Sequence, residues 1–167
     1  MENIDEKLNQ AYSCFYTAYE RLNRVAWGGT LPGCMIRFYR GRGGRTLAFA
    51  QNSLPPEISF NLSRCLGLRE ELLWGVMAHE MTHIWQYARG RAGGHGRDFR
   101  CEMLRIGIDE KRGIVLPESA GDYVFLLNEI TPVSLRDALQ IIRDCSSFSY
   151  EEVTGQFYSR TVAGREC

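Results

Sequence analysis

The chain has 167 residues, 44% of them apolar and 11% aromatic, and its 20 basic residues balance 20 acidic ones. That length suits one domain with a proper core, and that composition excludes a disordered chain. No apolar run approaches the roughly 20 residues that span a bilayer, and the opening MENIDEKLNQAY lacks the basic-then-apolar order of an export signal, so a cytoplasmic protein with no membrane contact is expected.

Residues 4–26 carry Leu8, Tyr12, Phe15, Tyr19, Leu22 and Val25 at helical spacing, which predicts a long amphipathic helix ending near Gly28 and Gly29. Next, CMIRFYR and RTLAFA flank GRGG, and two short alternating runs around glycines predict a β-hairpin. Pro55 and Pro56 break the chain, and EISFNL, with Ile58, Phe60 and Leu62 on one face, predicts a third strand. Helical spacing returns over 68–89 at Leu72, Leu73, Val76, Met77, Ile84 and Tyr87, with Gly90 as a natural stop. RAGGHG reads as a glycine-rich turn and DFRCEMLRIG as a further helix stopping near Gly107.

The signal weakens past residue 112, where VLPESAGDYVFLLNEI fits strand or irregular chain. Ser134 with Asp137, and Ser149 with Glu152, have the capping-box spacing and predict short helices over 134–145 and 149–160. Such a pair has the outline of a DNA-reading helix-turn-helix. It lies in the acidic part of the chain, however, so a packing role is expected. The expected fold is therefore α+β. A small antiparallel or mixed three-stranded sheet packs beside a metal-binding helix, with a long N-terminal helix and a helical C-terminal extension. Residues 1–112 form the main domain and 113–167 the extension.

Six cysteines at 14, 34, 65, 101, 145 and 167 form no CxxC pair, so reduced thiols are expected. The net charge of zero hides an asymmetry. Residues 1–112 hold 16 Lys and Arg against 12 Asp and Glu, and residues 113–167 hold 4 against 8. Eighteen of the 20 basic residues are arginine, which favours bidentate contact with phosphate or carboxylate. Arg37, Arg40, Arg42 and Arg45 form one cluster, and Arg89, Arg91, Arg97 and Arg100 another. They read either as solvated surface or as the footprint of an anionic partner such as DNA.

All three histidines, His79, His83 and His95, lie in AHEMTHIWQYARGRAGGHGRDF. Scattered at random, three would share a window as short as the 17 residues 79–95 only roughly 3% of the time, which argues against coincidence. His79, Glu80 and His83 make HExxH, whose histidines lie on one helix face within reach of one ion. Zinc that keeps an open position for chemistry takes a third protein ligand. His95 is the remaining histidine, and Gly93, Gly94 and Gly96 let the backbone fold back to deliver it. Glu102 is the runner-up for that role. The metzincin pattern would require glycine at 86 and histidine at 89, where this chain has Gln86 and Arg89. Glu80, beside His79, is placed to take the proton of an attacking water and pass it to a leaving amine. One Zn2+ ion, a protein or peptide substrate and amide hydrolysis are the expectation. The rival is a non-catalytic zinc-containing module that recognises nucleic acid or a protein through its arginine-rich face.

HEMTH at 79–83 followed by GHGRDF at 94–99 resembles the pattern of the SprT-like (Spartan-like) zinc metallopeptidases. LNRVAWGGTLP at 22–32 and ISFNLS at 58–63 extend the likeness over about residues 12–107. The resemblance implies His79, His83 and His95 as zinc ligands, Glu80 as the catalytic acid/base, and Phe99 packed behind the third ligand. It also implies a sheet edge that offers backbone groups to an extended peptide, and a role on DNA-bound or DNA-cross-linked proteins. The paired cysteines of the zinc ribbon carried by many members are missing here.

Overall fold

The computed structural model describes residues 3–41, 44–107, 134–145, 148–151 and 156–159. The first helix, α1, runs Ile4–Trp27. The Asn3 side chain accepts the Asp5 N–H at its start, and Asp5 and Glu6 lie in its first turn, where the helix dipole favours negative charge. Its apolar stripe buries Ala11, Tyr12, Phe15, Ala18, Tyr19 and Leu22. Phe15 and Tyr12 meet Phe38 edge to face, with centroids 4.8 and 5.2 Å apart, and Phe38 stacks on Phe60. That aromatic group is the centre of the core, and edge-to-face pairs add about 0.5–1.5 kcal/mol each beyond burial.

Strands β1 (Met35–Arg40), β2 (Ala48–Gln51) and β3 (Glu57–Asn61) follow. The predicted hairpin of the first two does not form. β3 lies between them, parallel to β1 with Phe38 opposite Phe60, and antiparallel to β2 with Ala50 opposite Ile58. Asn61 supplies the reason. Its amide oxygen accepts the Gly41 N–H and its amide nitrogen donates to the Thr46 carbonyl, so one side chain holds both ends of the β1–β2 connection on opposite sides of β3. A Cβ at position 41 would lie 2.6 Å from the Asn61 nitrogen, so this approach requires glycine.

One helical turn, α2 (Leu62–Cys65), leads to α3 (Glu70–Ala88) and α4 (Arg97–Arg105). Both match the predicted helices to within a few residues. The C-terminal reading is half right. The 134–145 helix is present as α5 (Leu135–Cys145), with the Ser134 hydroxyl accepting the Asp137 N–H. The Glu70 carboxylate at the start of α3 accepts the N–H groups of Leu135 and Arg136, and Leu135, Ala138, Leu139 and Ile142 are buried. The helix expected over 149–160 is instead an antiparallel pair, β4 (Phe148–Glu151) and β5 (Gln156–Ser159). FSYE and QFYS each carry two aromatic residues, Phe148 and Tyr150 in one and Phe157 and Tyr158 in the other, a strand preference that outweighs one capping-box match. β5 pairs antiparallel with β1, so the mixed sheet has five strands in the order β2-β3-β1-β5-β4. The expected α+β class, with a mixed sheet beside the histidine-bearing helix, stands. Positions 113–133 and the expected 112/113 boundary lie outside the described residues.

Cys14, Cys34, Cys65, Cys101 and Cys145 are thiols outside any disulfide, and burial pushes the Cys65 thiol up to about 12, an inert core residue. No described helix is long and apolar enough to cross a membrane.

Candidate metal centre

Helix α3 presents its chemistry by simple periodicity. His79 and His83 are one turn apart, with Glu80 next to the first. After Ala88 the chain turns through Gly93 and Gly94, at φ +83° and +109°, and returns His95 to the same face. At Gly93 a Cβ would lie 2.8 Å from the Tyr87 ring, so the return is both left-handed and closely packed.

The three imidazoles converge. His95 Nε2 lies 3.0 Å from His79 Nε2 and 3.2 Å from His83 Nε2. Nitrogens bound to one tetrahedral zinc at about 2.0–2.1 Å stand about 3.3–3.4 Å apart, so the donor set fits that ion with a slight expansion. Among the described residues these three form the group able to hold a metal. Phe99, fully buried at the start of α4, is their floor. Its ring stacks on His83 at 4.5 Å and meets His79 and His95 edgewise at 4.9 and 4.7 Å. Burial, and then His83 and His95, hold His79 down at about 4, so near neutral pH it offers a lone pair rather than a charge.

Glu80 is 5% exposed. Burial pushes its carboxyl up to about 7, against the opposing pull of a hydrogen bond from the Ala50 backbone N–H on β2. The Tyr87 hydroxyl donates to the carbonyl of the same Ala50 at 3.3 Å. Two turns of α3 thus clasp one residue of the sheet. Glu102 is placed elsewhere. Its carboxylate accepts the Trp27 indole N–H at 2.8 Å and two Arg105 N–H groups at 2.6 and 2.9 Å, tying α4 to α1. With both oxygens taken, it is no third ligand. Glu102→Ala is expected to cost about 1–3 kcal/mol in urea unfolding, because a buried indole N–H loses its partner. Arg105 is 53% exposed and regains water, so the larger loss of a fully buried pair does not apply. A change below about 0.5 kcal/mol would refute the clamp.

Gln86 was not foreseen as a site residue. Its side-chain oxygen lies 2.9 Å from His83 Nδ1, and its amide nitrogen donates to the Gly94 carbonyl at 3.0 Å. The first contact assigns the proton to Nδ1 and leaves Nε2 for an ion. The second anchors the loop that carries His95. The i, i+3 spacing from His83 was the available signal. Gln86→Leu strands both partners and is expected to weaken metal affinity 10–100-fold, about the usual effect of such outer contacts. Competition against a colorimetric chelator measures it, and an unchanged affinity would show that neither contact matters.

The second arginine cluster braces this loop. Arg91 pairs with Asp98, Arg100 donates to the His95 carbonyl, and Arg89 stacks over Trp85 at 4.5 Å. In the first cluster Arg37 pairs with Glu57, and Arg42 lies outside the described residues.

Comparison with known proteins returns one family. The model of the SprT-like family matches residues 15–115, a span that holds α1 from Phe15, the three N-terminal strands, α3 and α4. No curated protein and no solved structure matches the chain.

Proposed function

Because the chain belongs to the SprT-like family, we propose that it is a zinc-dependent endopeptidase acting on extended protein segments. The observation that carries this reading is the pairing of three converging imidazole nitrogens with a buried carboxyl next to them. His79, His83 and His95 would hold the ion through Nε2. An ion held there supplies Lewis acidity to water and to a peptide carbonyl.

The protein's own groups do the rest. Glu80, with its carboxyl near 7, accepts a proton from the attacking water and returns it to the leaving amine. The Ala50 N–H orients that carboxylate, and the Gln86 amide keeps His83 in the tautomer that leaves Nε2 open. β2 is the sheet's outer strand on this side, so an extended segment has a backbone edge to lie along. Glu80 also favours the enzyme over a binding-only module, since a structural site has no need of a buried acid. DNA-associated proteins as substrates, with arginines contacting phosphate, are part of the proposal on charge alone.

The test is cleavage of an unfolded protein, with and without a chelator, followed by zinc add-back. Cleavage that is abolished by the chelator and restored by zinc supports the reading. Cleavage indifferent to the chelator, or none by zinc-loaded protein, ends it.

A further inference from the structure

Peptide-edge geometry and one cavity define what the site selects. The Leu47 carbonyl accepts the Asn61 N–H at 2.8 Å, which fixes the alternation along β2. Leu47, Phe49 and Gln51 direct their backbone groups to β3, and Ala48 and Ala50 direct theirs away from it. Ala50 is already engaged, its N–H by Glu80 and its carbonyl by Tyr87. The outward groups of Ala48 remain. They adjoin a cavity of about 210 Å³ between β2 and α3, lined by Thr46, Leu47, Ala48, Val76, His79 and Glu80.

The lining divides by chemistry. Val76 lies one helical turn before His79 and Glu80 on the same face of α3, and with Leu47 and Ala48 it makes an apolar wall. Thr46, His79 and Glu80 make the polar part of the lining. We propose that this cavity is a substrate subsite that takes an apolar side chain next to the scissile bond, while the substrate backbone pairs with Ala48. The proposal rests on the peptidase reading. A cavity of about 150 Å³ holds a benzene ring, so the room here suits leucine, isoleucine, methionine or phenylalanine. Glu80 disfavours an acidic side chain, and among the described residues no lysine or arginine lines the cavity to compensate one.

Two measurements test this. Cleavage sites in an unfolded protein, mapped by mass spectrometry, are expected to show Leu, Ile, Met or Phe enriched and Asp and Glu depleted at one position flanking the cut. Val76→Ala, which widens the cavity, is expected to shift the Leu-to-Phe ratio of kcat/KM by about tenfold or more towards Phe, since single methylenes in such pockets carry that weight. Val76→Phe fills it and is expected to shift preference to Gly and Ala. Zinc content equal to the parent's identifies variants that have folded. Cleavage without side-chain preference, or preferences unmoved by Val76→Ala, overturns the subsite and leaves the peptidase standing.

The second measurement is binding of fluorescent nonapeptides, differing only in Leu or Asp at the central position, to the zinc-loaded protein. If nothing is cleaved, the peptidase reading fails. A Leu preference in binding that weakens in Val76→Phe would then still support the cavity's selectivity, and equal binding would refute it.

Discussion

Glu80→Gln is expected to keep one equivalent of zinc and to lose peptide cleavage by a factor of about 10²–10⁴, the usual scale for a positioned acid/base. Metal analysis and a peptide-release assay on the same preparation check it. Cleavage within threefold of the parent would remove Glu80 from the chemistry. The same variant reports on burial. In the folded chain Glu80 holds its proton up to about 7, against 4.5 ordinarily. The folded state therefore binds that proton more tightly than the unfolded one. Its contribution is full below 4.5 and is lost as pH rises through 7. Glutamine carries no such penalty, so the chelated variant is expected to be more stable than the chelated parent at pH 8, on the order of 1–3 kcal/mol in urea unfolding. His79 runs the other way. Held at about 4 against 6.5, it costs stability as pH falls from 6.5 towards 4. Between 4.5 and 6.5 the two slopes oppose.

His95→Ala is expected to lower zinc content from one equivalent towards none, and to abolish cleavage with it. Two histidines on one helix leave the ion without the contact that closes the triangle, and the loss should exceed the 10–100-fold of an outer contact such as Gln86. The rest of the fold should survive. His95 is exposed, and its ring is not among the packed core residues. A variant that retains a full equivalent of zinc would show that the third ligand comes from elsewhere.

The convergence of the three histidines was legible because its information is local. Histidine spacing on a helix and glycines before His95 are one-dimensional signals, and the helical elements 4–27, 70–88 and 97–105 follow from the same kind of periodicity. What was illegible depends on partners distant in sequence. The β1–β2 hairpin failed as a reading because Asn61, well downstream of GRGG, decides where the two strands go. The strands at 148–159 needed a free side of β1 to pair with, which no local pattern reveals. Glu102, on the helix that follows, was the runner-up as third ligand, yet Trp27 and Arg105 claim it. Gln86 was read only as the residue that breaks the metzincin pattern, although its amide serves both His83 and the His95 loop.

The clasp of Glu80 and Tyr87 on Ala50 bears on solubility as well. An outer strand with its row of backbone groups open is a template on which further copies of a chain can stack into aggregates. Here one of the two outward-facing residues of β2 is occupied from within the molecule, and the opening that remains is a single residue wide beside His79 and Glu80. On the β2 edge of the sheet the molecule thus leaves too little open backbone to recruit its own kind.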